Sequence, residues 1–150
     1  MYSILFIVYF CMVWFLYAQN LPTETSTLFS GSGNCASCHA PGAPNTSALL
    51  DSRGRDVSPV TLWRSTMMAN SARDPLWRAK VSVETLLTPS LKAYIKDKCT
   101  TCHAPMGRTE SIANGAAFYS IAEMESDPLA MDGVSCTVCH QIPYSEPPNT

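Results

Sequence analysis

Apolar residues are concentrated at the start of this chain. Residues 4–17 form an almost unbroken apolar run, and polar residues follow from Gln19. The run has the length of the hydrophobic region of a signal peptide and is short for a membrane span. We predict a signal peptide over residues 1–18 and a mature domain over residues 19–150. Because Met1-Tyr2-Ser3 has no basic residue, an uncleaved membrane anchor stays the alternative.

Further along the chain, apolar residues recur at helical spacing and prolines mark the predicted helix starts. Ser58, Asp74 and Thr88 each precede a proline, an order that is typical of a helix N-terminus. We predict five elements, namely helices from Ser58 to about Ser71, from Asp74 through Leu86, from Thr88 into Cys99 and over Ala116–Glu125, and a short turn from Asp127.

No segment shows the two-residue alternation of a half-buried strand. Residues 19–34 and 40–57 are rich in the polar and turn-forming residues of loops. We therefore expect a mainly α fold of short helices, with extensive irregular loops and little or no β-sheet. The apolar fraction of 46% is inflated by the N-terminal run, and the chain contains 11 prolines. A conventional core would be thin for this length, so a bound cofactor would have to add apolar surface.

Three segments share the spacing Cys-x-x-Cys-His: Cys35–His39, Cys99–His103 and Cys136–His140. They contain all three histidines and six of the seven cysteines, and Cys11 lies in the predicted signal peptide. This spacing is the attachment signature of c-type haem, in which two thiols form thioethers and the next imidazole binds the iron. We predict three covalent haems c, held by Cys35, Cys38, Cys99, Cys102, Cys136 and Cys139, with the proximal iron ligands His39, His103 and His140.

Two alternatives explain the cysteines without haem. Six cysteines in an exported chain are typical of a disulfide scaffold, and two Cys-x-x-Cys pairs are able to hold zinc. Neither explains why every histidine follows its cysteine pair at the same offset.

The distal iron positions lack an obvious ligand, because no histidine remains. Met68 is the preferred candidate, on the helix predicted from Ser58 and next to Met67. Met124 and Met131 rank below it. The alternatives are that these methionines are ordinary core residues, or that the ligands come from a C-terminal region beyond this sequence.

Charged residues set limits on the partners. The formal net charge is −2 and no Lys/Arg run is present, which gives no reason to expect nucleic-acid binding. Arg64 and Arg78 each follow a tryptophan, and we consider two roles for them: pairing with haem propionates, or lying on a solvated helix face.

The chain resembles the bacterial multihaem c-type cytochromes, a broad group that includes tetrahaem electron carriers and hydroxylamine and nitrite oxidoreductase-like proteins. Besides the three motifs, the resemblance rests on residues 63–75, 98–106 and 132–142. It implies a helical, loop-rich protein that is exported and transfers electrons between closely spaced haems. Many relatives have distal histidines elsewhere in the sequence, and this chain has none. The simplest explanation is that the sequence is the N-terminal part of a longer cytochrome.

We expect an electron carrier rather than an enzyme, located in the periplasm or outside the cell. Its partners would be other redox proteins or quinol-linked membrane complexes, with membrane contact only if the N-terminal segment is uncleaved. The alternatives are the electron-input part of a haem oxidoreductase acting on a small nitrogen or oxygen species, and a haem module that senses a gas. No dedicated acid/base cluster favours the enzyme.

Overall fold

A computed structural model describes residues 20–41 and 49–142 of the chain. Short helices joined by turns make up most of these residues. In chain order they are α1 (Ser32–His39), α2 (Pro59–Arg64), α3 (Met67–Asn70), α4 (Pro75–Leu87), α5 (Lys92–His103), α6 (Pro105–Ala113), α7 (Ile121–Ser126), α8 (Pro128–Met131) and α9 (Cys136–His140). The described ranges contain no β-sheet, only two isolated bridges. The predicted mainly α fold is confirmed, whereas the predicted signal peptide lies outside the described residues.

The helix predicted from Ser58 to Ser71 is wrong as one continuous element. It starts as expected at Pro59. The hydroxyl of Ser58, which precedes this proline, accepts a hydrogen bond from the Thr61 amide. At Thr66 the backbone is extended, and the Thr66 hydroxyl accepts from the Ala69 amide and starts α3. Ser71–Arg73 then forms a 3₁₀ turn. A capping side chain within the apolar pattern therefore divides the segment into three short turns.

The other predicted helices are present with different ends. Asp74 caps α4 as expected, and α5 runs through the second Cys-x-x-Cys-His motif to His103. The helix predicted over Ala116–Glu125 begins only at Ile121, where Ser120 and Glu123 form a capping box. The sequence reading missed α6, which starts at Pro105. Pro105 occupies the first turn of α6, a position to which proline is well suited.

The core of the described part is small. Its buried cluster consists of Ala72, Trp77, Val81, Ala104, Tyr119, Met124 and Ala130. Only three of these side chains are large, whereas Leu76, Leu86 and Leu87 are each more than 70% exposed. A thin core with apolar residues left in solvent agrees with a fold that a cofactor completes.

A buried ion pair fastens the second motif to this core. Asp97, two residues before Cys99, accepts hydrogen bonds from Nε and Nη2 of Arg108 at 3.1 and 3.0 Å. The amide of Tyr119 donates to the same carboxylate at 3.2 Å. These hydrogen bonds hold the pKa of Asp97 below its ordinary value of 3.8. The pair thus joins α5, α6 and the segment that leads into α7.

Candidate haem attachment sites

Each Cys-x-x-Cys-His segment is helical and ends its helix at the histidine. The first motif lies in α1, the second closes α5, and the third forms α9. All six motif cysteines are free thiols. In every motif the first cysteine is half-buried and the second is exposed. The three segments therefore share one local structure, with both thiols available for thioether formation.

His103 of the second motif is held in a defined orientation. Its Nδ1 lies 2.9 Å from the backbone carbonyl oxygen of Ser71. A carbonyl only accepts hydrogen bonds, so Nδ1 carries the proton and Nε2 is left to bind a metal. The Ser71 hydroxyl donates in turn to the His103 carbonyl at 2.9 Å. Fixing one ring nitrogen in this way is the usual support of a metal-binding histidine.

The imidazole ring of His103 also packs against Trp77. The two rings are stacked, with centroids 4.1 Å apart and planes inclined by 6°. Trp77 is 8% exposed and belongs to the buried core. Its indole N–H is buried and has no hydrogen-bond partner among the described residues. The imidazole is therefore fixed by a backbone carbonyl and by an aromatic face.

The first and third motifs support each other through Asp132. Its buried carboxylate accepts hydrogen bonds from the amide and hydroxyl of Ser32 at 2.9 and 2.8 Å. It also accepts from the hydroxyl of Ser135 at 2.6 Å. Ser32 begins α1, and Ser135 directly precedes α9. One carboxylate thus holds the N-termini of both motif helices, a contact that we call the Asp132 latch.

Side chains from the two helices continue this contact beyond the latch. The Thr137 hydroxyl donates to the Ser30 carbonyl at 3.0 Å. Burial and, next to it, the neighbouring Cys35 thiol raise the pKa of the Cys136 thiol. The first cysteines of the first and third motifs are therefore neighbours in space although a hundred residues separate them in sequence. In contrast to His103, both His39 and His140 are exposed.

Gly133 places the third motif directly against the support of the second. Its φ of +69° is one that L side chains rarely adopt. A Cβ at this position would lie 2.6 Å from the Met68 carbonyl oxygen and 2.9 Å from the Ser71 hydroxyl. The next amide, Val134, donates to the Met68 carbonyl at 2.9 Å. The turn around Met68 and Ser71 therefore contacts both motifs.

The candidate distal ligands occupy different environments. Met68 is 48% exposed and Met67 is 71% exposed, both on α3. Met124 is fully buried, and Met131 lies near Arg78 of α4, whose Nη2 is 3.9 Å from its sulfur. Nothing in the described part tests Met68 as an iron ligand, and that assignment stays a prediction.

The described residues do not decide between the two roles considered for Arg64, whereas Arg78 has partners within the protein. Arg78 forms an ion pair with Glu125 at 2.7 Å and also donates to the Ala72 carbonyl. Arg64 and Arg73 together line a cavity of ≈ 890 Å³ beside α1. That volume is in the range of small-molecule and cofactor sites. The sequence reading missed Arg73, whose place beside Arg64 depends on the break at Thr66.

A sequence model of the cytochrome c554 and c-prime family matches residues 34–141, which include all three motifs. The chain belongs to this family. It is a c-type cytochrome, so haem c is its covalently bound cofactor and electron transfer is its role. Comparisons with curated proteins and with solved structures gave no significant match.

The described side chains fit this cofactor. The thiols are unpaired, the His103 tautomer leaves Nε2 for iron, and the core contains an unpartnered indole N–H beside that ligand. No group of three or more His, Cys, Asp or Glu side chains within residues 20–41 and 49–142 is arranged to hold a metal ion by itself. Over the same ranges, none of the helices is long and apolar enough to span a membrane.

Proposed function

We propose that this protein is an exported c-type cytochrome that carries three haems and passes electrons between redox partners. The observation that carries the proposal is the shared structure of the three motifs, each a helix that ends at its histidine and presents two free thiols. Cys35, Cys38, Cys99, Cys102, Cys136 and Cys139 would attach the haems. His39, His103 and His140 would bind the irons.

Each haem would supply one iron that accepts and releases one electron. The protein's own residues hold these groups in place and set their surroundings. The Asp132 latch and the Cys35–Cys136 contact support close spacing of the first and third haems. The contact of Gly133 with the Ser71 turn supports placing the second haem near the third. Electrons would then pass along one connected set of haems.

Met68 remains our candidate distal ligand. The Ser71 carbonyl, one turn further on, contacts Nδ1 of His103, on the side of the imidazole away from the metal-binding Nε2. Met68 is therefore poorly placed to reach the distal face of the second haem. Its backbone contacts Val134, two residues before Cys136. Methionine ligation would raise the reduction potential of the haem that Met68 serves.

The proposed location rests on the predicted signal peptide over residues 1–18. We propose export to the periplasm or beyond the cell, since haem c is attached in an exported protein. The electron donors and acceptors would be other redox proteins or quinol-linked membrane complexes. Arg64 and Arg73 beside α1 offer positive charge to haem propionates.

Intact mass under denaturing conditions tests this proposal, on full-length protein from a host competent for cytochrome c maturation. Covalent haem survives denaturation, whereas zinc does not. We expect a chain from Gln19 with three haems added. Replacing Cys99 and Cys102 together by Ala should reduce the count to two, while Cys11→Ser, in the predicted signal peptide, should keep three. A wild-type mass without haem would contradict the proposal.

A further inference from the structure

Trp77 has an unusual position for a core residue, because its ring face covers an expected iron ligand. Trp77 stacks on His103 and is 8% exposed. Together with the Ser71 carbonyl at Nδ1, the indole limits rotation of the imidazole. Imidazole orientation is one of the features through which a protein tunes a bound metal.

The indole N–H of Trp77 is the one buried side-chain N or O atom in the described part of the chain that lacks a hydrogen-bond partner. Trp63 provides a comparison, since its Nε1 donates to the Val134 carbonyl at 2.9 Å. Buried tryptophan N–H groups usually find an acceptor, because an unpaired buried donor loses its hydration without compensation. The Trp77 nitrogen is covered by protein atoms, so an acceptor that arrives with a bound group reaches it when the neighbouring side chains move.

We propose that Trp77 is a haem-binding residue of the second motif, whose ring face positions His103 and whose N–H donates to a propionate of the second haem. The inference rests on the proposed function, because it requires a haem on Cys99 and Cys102. Propionates are the carboxylates that a haem brings, and a hydrogen bond to a carboxylate is stronger than one between neutral groups.

This hydrogen bond has two measurable consequences. A donor to the ionised propionate stabilises that form and lowers the propionate pKa. It also offsets part of the negative charge close to the iron. Because that charge disfavours the reduced state, offsetting it raises the reduction potential. Both effects belong to the second haem and should not extend equally to the other two.

The test compares Trp77→Phe with Trp63→Phe in the haem-loaded full-length protein. Phenylalanine keeps an aromatic face and removes only the N–H. Reduction is followed by NMR, with the second haem identified through thioether protons that couple to Cys99 and Cys102. We expect Trp77→Phe to lower the equilibrium constant for reduction of that haem by up to about tenfold, which is about 59 mV for one electron. The pH dependence of its potential should move to higher pH, whereas Trp63→Phe should leave both unchanged.

A wild-type potential and pH dependence for the second haem of Trp77→Phe would overturn the inference. If this variant fails to mature, the wild-type protein decides the question. A nuclear Overhauser effect between the Trp77 indole proton and propionate methylene protons supports the hydrogen bond, and its absence contradicts it. The intact mass of the same preparation separates the two proposals. A missing haem at Cys99 and Cys102 contradicts the proposed function, whereas a full complement of haem with no Trp77 effect contradicts only this inference.

Discussion

All three motifs have the same Cys-x-x-Cys-His residues, but different contacts hold them. The second motif is held in one way, and the first and third motifs are held together in another. His103 is half-buried, stacked on a core tryptophan and bound through Nδ1, and the ion pair of Asp97 with Arg108 anchors its helix. His39 and His140 are exposed, and their helices are joined by the Asp132 latch. The comparison teaches that local sequence sets the attachment chemistry, whereas distant residues set how firmly each iron ligand is held.

The largest expected effect comes from weakening the support of the second motif at Asp97. Asp97→Ala leaves the Arg108 guanidinium without its partner and should lower the free energy of unfolding by about 3–5 kcal/mol. Denaturant unfolding of the haem-loaded protein measures this loss, with Asp74→Ala, which removes only a helix cap, as the control at about 1 kcal/mol. Equal losses in the two variants would show that the ion pair does not anchor the motif.

The same carboxylate makes this support depend on pH. Because the pKa of Asp97 is lower in the folded protein than its ordinary value of 3.8, its contribution is fully present above about pH 4. It is lost as the pH falls through the lower folded value. The stability difference between wild type and Asp97→Asn should therefore shrink below pH 4 in denaturant titrations. A difference that stays constant down to pH 2 would contradict the assignment.

The latch of the other two motifs gives the next effect. Asp132→Ala leaves three donors without an acceptor, two from Ser32 and one from Ser135, and should cost about 3 kcal/mol. NMR signals of the first and third haems should shift, while those of the second haem should change least. If the second haem responds most strongly, the two supports are not separate as described.

Gly133 tests the contact between the two regions. Gly133→Ala combines an unfavourable φ with clashes against the Met68 carbonyl and the Ser71 hydroxyl, and should cost about 2–3 kcal/mol. Gly115→Ala is a matched control, since its φ is +91° and no atom lies within 4 Å of the added Cβ. We expect about 1 kcal/mol there. Only Gly133→Ala should shift the signals of the second haem, and identical behaviour would exclude the contact.

Among the changes at the supports of the motifs, Ser71→Ala should give the smallest effect. It removes the hydroxyl bond to the His103 carbonyl but keeps the backbone carbonyl that binds Nδ1. We expect a loss of about 1 kcal/mol and a small shift confined to the second haem. Ser82→Ala, which removes an exposed hydroxyl bond to the Arg78 carbonyl, should cost less. A large change at the second haem would mean that the hydroxyl contributes more to the orientation of His103 than the carbonyl does.

Local patterns predicted much of this molecule. The sequence alone predicted the haem motifs from their spacing, the helix start at Asp74-Pro75 and the lack of β-sheet. The family match agrees with the expected cytochrome. Thr66 was misread because the same apolar spacing suits one helix or two short ones, and the choice depends on where a hydroxyl bonds.

The supports of the motifs were not predictable from local patterns. Ser71 acts on His103 through a backbone carbonyl, which leaves no signal in residue type. Asp132 meets Ser32 across a hundred residues of chain, and either residue alone looks like an ordinary polar side chain. The stacking of Trp77 on His103 was also not predictable, because it depends on how α4 crosses α5.

The Asp132 latch also has a consequence for the order of assembly. A contact between residues so far apart requires a large loop to close, and the entropic cost is repaid only after other contacts have formed. The contact between Ser71 and His103 spans 32 residues and closes a much shorter loop. The second motif is therefore expected to become structured early, around its own helices. The first motif to leave the ribosome packs against α2 before it can form the Asp132 contact, which requires the last motif to be made.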